Sequence, residues 1–258
     1  MAAIKAYVAA LLLLAGLICR PAAAQTAAEA PAAADAKPVV TEAEAPSLVV
    51  INGSRSPELQ PYRYMLSGLD AFDDYHALAP AATEVRFRLR GKGKAPADVL
   101  NGAAVRLSGN ETDIALPLTD AGYFTLPRNK AAEDDNADVV TNRKKNYLGW
   151  NPDIRSPGVP EGMRRLGDIR LECRVMVAVA KNYIPFLLRA MINTLTLTTD
   201  WCGFKDFNLH VYADHALTSA TLVDGERRVE LKLNDEGTAY FVPIGNKSYA
   251  NDALIELK

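Results

Sequence analysis

Asp113-Ile-Ala-Leu-Pro-Leu-Thr-Asp-Ala-Gly122, followed by Phe124-Thr-Leu-Pro127, has a near copy later in the chain: Arg228-Val-Glu-Leu-Lys-Leu-Asn-Asp-Glu-Gly237, followed by Tyr240-Phe-Val-Pro243. In each, apolar and polar residues alternate, an Asp-x-Gly turn follows, and a short apolar strand ends at a proline. A shift of 115 residues lays Ile114, Leu116, Leu118, Asp120 and Gly122 on Val229, Leu231, Leu233, Asp235 and Gly237. With one inserted residue, a shift of 116 lays Leu126, Pro127, Ala137 and Val139 on Val242, Pro243, Ala253 and Ile255. Strand parity survives the shift, and a slip of one residue would turn the core face outward. The alternative is chance likeness between two ordinary hairpins. The fold class read from this is mainly β: two antiparallel β-sandwich-like units related by an internal repeat, with one or two short helices.

Period-two alternation supplies the other strands. Val85, Phe87 and Leu89 face one way, while Arg86, Arg88 and Arg90 give the opposite face a cationic row. That row suits an anionic surface such as a lipid head group or acidic polysaccharide. Charges that keep an edge strand from aggregating explain it equally well. Residues 104–107, 114–118 and 123–126 follow, and Pro117 makes its strand an edge or a bulge. Leu171, Cys173, Val175, Val177 and Val179 read as one more strand, with Glu172 and Arg174 opposite. Residues 207–212, 220–223, 229–233, 240–242 and 253–257 complete the second unit.

Two stretches have helical spacing. Tyr64, Met65, Leu69, Phe72 and His76 predict one or two short helical turns, interrupted near Gly68 and stopped by Pro80. Residues 183–195 predict a buried helix beginning near Pro185, too short and too charged to span a bilayer.

The N-terminus reads as an export signal. Lys5 precedes an apolar run over residues 6–18, and Ala22-Ala-Ala24 offers a cleavage site before Gln25. An uncleaved anchor and lipid attachment at Cys19 are the alternatives. Residues 25–46 are Ala, Pro, Glu and Thr with few large apolar side chains, a spacer that cannot offset its ordering entropy. The boundaries follow: 1–24 signal peptide, 25–46 spacer, 47–140 first β-rich unit opening on a strand at 48–51, 141–167 connecting loop, 168–258 second β-rich unit with the helix. Localisation is periplasmic or secreted.

Cleavage removes Lys5 and Arg20, so 27 of the 29 basic residues remain against 31 acidic ones, a balance of −4. Nucleic acid is not an expected partner at that charge, and no transmembrane span is expected in the mature chain. Of three cysteines, Cys19 leaves and Cys173 and Cys202 remain. An even pair in an exported chain predicts a disulfide, the alternative being two buried thiols.

Catalytic motifs are missing from the sequence. There is no Gly-x-Ser-x-Gly elbow, no His-Glu-x-x-His and no phosphate-binding Gly-x-x-x-x-Gly-Lys loop. His76, His210 and His215 do not cluster as a metal set, and no metal or cofactor is expected. Glu133, Asp134 and Asp135 read as a solvated charge run, and Asp120 and Asp235 as turn residues that bind nearby backbone amides. Arg143, Lys144, Tyr147 and Trp150 are the candidate binding residues, because aromatic and basic side chains on a long loop suit partner or sugar contacts.

Val105-Arg-Leu-Ser-Gly109 and Leu118-Thr-Asp-Ala-Gly-Tyr-Phe124 resemble the strand, hairpin and Asp-x-x-Gly-x-Phe-type turn of carboxypeptidase regulatory-like domains, with the turn one residue tighter here. Those are small transthyretin-like β-sandwiches. The resemblance implies an accessory, non-catalytic module and brings no catalytic residues with it. The functional expectation is an exported envelope protein that binds or scaffolds, with an envelope protein or polysaccharide as partner. The rival expectation is a periplasmic hydrolase with a site in the 129–167 loop.

Overall fold

In the computed structural model residues 57–258 are described. The expected signal peptide, spacer and strand at 48–51 lie outside the described residues. The first half runs β1 (Pro57–Pro61), α1 (Tyr62–Asp74), β2 (Arg86–Gly91), β3 (Val105–Ser108), β4 (Asp113–Leu116), β5 (Tyr123–Thr125), α2 (Lys130–Asp134) and β6 (Asp138–Lys144). Strand β7 (Leu148–Asp153) comes next. The second half runs β8 (Met163–Arg165), α3 (Leu166–Lys181), α4 (Phe186–Thr196), β9 (Leu209–Tyr212), β10 (Ala220–Asp224), β11 (Arg227–Glu230), β12 (Ala239–Val242) and β13 (Leu254–Leu257). The fold is mainly β, and all the strand pairs are antiparallel.

The pairings repeat. One sheet has the order β1-β6-β3-β4 and its counterpart β8-β13-β10-β11; β5 pairs β2 as β12 pairs β9. Register repeats as well. Leu107 stands opposite Ile114 and Val139, and Leu222 stands opposite Val229 and Ile255. Ile114 and Val229 are both half-buried, while Leu116 and Leu231 are both buried. Pro117 lies just past β4, which is an edge strand, where its missing N–H interrupts no ladder.

The turns share a hydrogen-bond plan, with one extra residue in the second. Gly122 donates to the Thr119 carbonyl at 2.8 Å and Gly237 to the Asn234 carbonyl at 3.0 Å. Both glycines have positive φ, 83° and 67°. The side chains that brace these turns are not Asp120 and Asp235. Thr119 Oγ1 accepts from the Tyr123 amide at 3.0 Å, and Asn234 Oδ1 from the Ala239 amide at 2.9 Å. The carboxylates sit one residue further on, at the exposed crest.

The largest correction concerns residues 171–179, which are helix α3 and not a strand. The alternation there has a helical cause. Leu171, Val175 and Val179 are four apart and join the core cluster of the first half. Ile169 and Cys173 are four apart on the opposite stripe and join the cluster of the second half, with Val177 packed against it. Two apolar stripes on opposite helix faces interleave into every second residue, which imitates a strand.

Helix α1 is a second correction, since it runs thirteen residues without a break at Gly68. Gly68 sits against α3: a Cβ there would stand 2.8 Å from Val179 Cγ2 and 3.1 Å from Val175 Cγ1. The stretch expected as a connecting loop holds β7 and β8. Strand β7 pairs along β2 and sets Trp150 opposite Leu89, and its proline and polar residues mask the alternation.

The expected disulfide is present between Cys173 and Cys202, with Cα atoms 6.0 Å apart. It ties α3 to the far side of α4. Helix α4 forms after Pro185 as the sequence implied, but it is not buried: Phe186 is 72% exposed and Leu187 80%.

Candidate functional site: an arginine-lined groove

Strand β2 lies between β5 and β7, so its inward residues Phe87 and Leu89 are buried in the first core. Its other face carries Arg86, Arg88 and Arg90. Two half-exposed tyrosine rings receive these side chains. Arg86 and Arg88 lie over Tyr123 at 4.7 and 4.9 Å, and Arg90 over Tyr212 of β9 at 5.1 Å. The second half thus supplies one wall of the site.

Carboxylates are fewer than guanidinium groups here. Asp153 pairs with Arg86 at 3.3 Å and with Arg155 at 2.8 Å. Asp214 pairs with Arg88, with Arg155 at 3.3 Å and with Arg90 at 3.9 Å. Burial alone raises both acids, but the surrounding arginines outweigh it. Arg155, Arg164 and Arg86 hold the Asp153 carboxyl below its ordinary range, and Arg155 and Arg88 do the same for Asp214. The Arg90 guanidinium is also pulled down, by burial and by Arg88.

Beneath this layer is a buried ion pair. Arg164 Nη2 lies 2.6 Å from Glu172 Oε1, and the Ile154 amide donates to the same oxygen at 2.8 Å. Burial pushes the Glu172 carboxyl up against the pull of Arg164, and it pushes the Tyr240 hydroxyl up to about 12. The Nε atoms of Arg90 and Arg164 and the Tyr240 hydroxyl find no hydrogen-bond partner among the described residues. A cavity of about 40 Å³, lined by Arg88, Arg90, Arg164 and Glu172, opens beside this pair. It is large enough for one or two waters.

Next to it runs an open groove of about 650 Å³, lined by Arg88, Arg90, Lys92, Trp150, Asn151 and Tyr212. Its charged lining is Arg88, Arg90 and Lys92, while Arg164 and Glu172 lie buried beneath as a neutral pair. The groove offers donors and aromatic faces.

The four sequence-derived binding residues separate in space. Trp150 lines the groove, its ring 5.6 Å edge-on from Phe87. Arg143 braces a turn, donating from Nε to the Val99 carbonyl at 2.7 Å and from Nη2 to the Asn101 carbonyl. Lys144 is exposed and sits 5.7 Å over the ring of Tyr147, which packs on the first core. The arginine row was visible in the alternation of β2. Asp214, Arg155, Arg164 and Glu172 were not, because residues far apart in sequence meet there only through the sheet order.

The acidic run 133–138 lines neither the cavity nor the groove. Among the described residues no three His, Cys, Asp or Glu side chains are placed to hold a metal ion. His76 Nε2 is 2.7 Å from the Ala82 carbonyl, and His210 packs between Tyr212 and Phe241. No helix among the described residues is long and apolar enough to cross a membrane. Comparison with protein-family models, curated proteins and solved structures finds no match for this chain.

Proposed function

We propose that the chain is an exported, non-catalytic binding module of the cell envelope, and that its ligand is an acidic polysaccharide lying along the groove beside β2. One observation supports this above the rest: Arg88, Arg90 and Lys92 line the groove beside the Trp150 and Tyr212 rings, and no carboxylate of the described residues lines it. Arginine forks match carboxylates in two-point contact, and aromatic faces suit the apolar side of a sugar ring. The ion pairs with Asp153 and Asp214 hold the guanidinium groups in place, which lowers the ordering cost of binding. The resemblance to transthyretin-like accessory domains agrees with a role without turnover.

Affinity electrophoresis in gels containing polygalacturonate or neutral dextran tests the reading. Retardation by the acidic polymer alone is expected, weakening with salt and falling at least about tenfold in Arg88→Gln/Arg90→Gln, since each charge-assisted contact is worth about 1.5–3 kcal/mol. Equal retardation by dextran, or turnover of the polymer, would overturn it.

A further inference from the structure

Helix α4 is amphipathic the wrong way round. Leu187, Met191 and Leu195 recur four apart on one stripe, and that stripe faces solvent: Leu187 is 80% and Leu195 75% exposed. On its inner side Asn193 Oδ1 accepts from Trp201 Nε1 at 2.8 Å. At the end of the helix Leu197 has φ 53°, a left-handed position where glycine or asparagine is usual, and it is 91% exposed. Backbone strain and apolar exposure therefore coincide at one side chain, which a helix terminus chosen for stability alone would not retain.

The mounting is rigid. Cys173 is bonded to Cys202 at the root of the excursion. Arg174 grips Asp200 with both nitrogens, Nη2 at 2.8 Å from Oδ2. Lys181 donates to the Thr199 carbonyl at 3.2 Å and lies 5.1 Å over the Trp201 ring.

Charge indicates what covers the stripe. Asp200 neutralises Arg174, and residues 175–199 contain Lys181 and Arg189 and no acidic residue. Arg189 Nε has no hydrogen-bond acceptor among the described residues. Tyr183, 50% exposed, stands beside the helix. A protruding apolar ridge bordered by Tyr183, Lys181 and Arg189 fits the boundary of a bilayer with anionic headgroups, where leucines enter the acyl edge and arginine meets phosphate. We infer that α4 is a membrane-surface anchor, lying in the interface of an anionic lipid leaflet. This does not depend on what the arginine groove binds.

Flotation of the full chain with vesicles tests it. Phosphatidylglycerol–phosphatidylethanolamine vesicles should carry the chain up the gradient more than phosphatidylcholine vesicles do. Leu187→Ser/Leu195→Ser, at exposed positions that leave the core alone, should lower the bound fraction at least tenfold with an unchanged circular dichroism spectrum. Arg189→Gln should lower binding severalfold to the anionic vesicles only. Comparing chains that differ only in α4 cancels any contribution from residues 1–24. Equal flotation of the leucine variant and its parent would sink the idea. A parent dimer that the same variant dissociates, with no vesicle binding, would assign the ridge to a second copy of this chain instead.

Discussion

Tyr62 and Leu166 occupy the same place in the fold, 104 residues apart. Each opens a helix directly after a strand, and each donates its amide to an alanine carbonyl: Ala137 at 3.0 Å and Ala253 at 2.8 Å. Those alanines are themselves repeat partners. The structural repeat therefore includes a strand and helix, β1-α1 and β8-α3, in addition to the hairpins that announce it in the sequence. Helix sequences diverged because their neighbours differ. Gly68 in α1 corresponds to Glu172 in α3, one making room for the other helix and the other anchoring the buried arginine.

The repeat turns predict paired sensitivity. An added Cβ would lie 2.8 Å from the Leu89 carbonyl oxygen at Gly122 and 2.5 Å from that of Leu217 at Gly237. Both also have positive φ. Gly122→Ala and Gly237→Ala should each destabilise by about 2–4 kcal/mol, strain and clash together. Gly225 has φ 62° but open space around it, so Gly225→Ala should lose only about 1 kcal/mol. Urea unfolding of the three variants checks the order.

Glu172 and Arg164 should tolerate joint replacement better than single replacement. Glu172→Gln leaves a buried guanidinium without its counter-charge, a loss of about 3–5 kcal/mol. Arg164→Met/Glu172→Leu removes both charges and leaves mainly the Ile154 amide without an acceptor, about 1–3 kcal/mol. A double variant less stable than Glu172→Gln would show that the pair contributes more than it costs to bury.

Reduction should weaken the fold without dissolving it. The disulfide closes a loop of 29 residues, and chain-entropy reasoning assigns it about 3–4 kcal/mol. Cys173→Ala/Cys202→Ala should lower the urea midpoint accordingly. The parent in reductant should match the variant.

Asp135 predicts a pH dependence. Its carboxylate accepts amides of Glu111 at 2.9 Å, Thr112 at 2.8 Å and Asn110 at 3.1 Å. These bonds, Glu111 foremost, hold it below the ordinary carboxylate value. A lowered folded value adds stability above the unfolded value, near about 3.9, and that stability is lost as pH falls through the folded value. Asp135→Asn should thus be less stable than the parent at pH 7, with the gap closing as the pH drops below about 4. A gap that stays constant down to pH 2 would contradict this.

The sequence was readable where a residue's environment is set by its nearest neighbours along the chain. Alternation in 114–118 and 229–233 encodes a half-buried hairpin, and glycine two residues after the aspartate encodes the left-handed turn. It misled where one element answers to two surroundings. Helix α3 is apolar on opposite faces because two cores claim it, and every second residue then mimics a strand. It was incomplete where burial depends on a distant partner. Nothing in residues 183–195 says whether another surface covers them, and nothing near Arg88 announces Asp214 from β9's far end. The arginine row itself was visible, but the site it helps form was not.

Leu171 and Val175 fill the hydrophobic interior of one half while Ile169 and Cys173 fill that of the other. A gene fragment encoding only the first half would leave a hole where Leu171, Val175 and Val179 belong. The first half therefore depends for its interior on a helix encoded in the second.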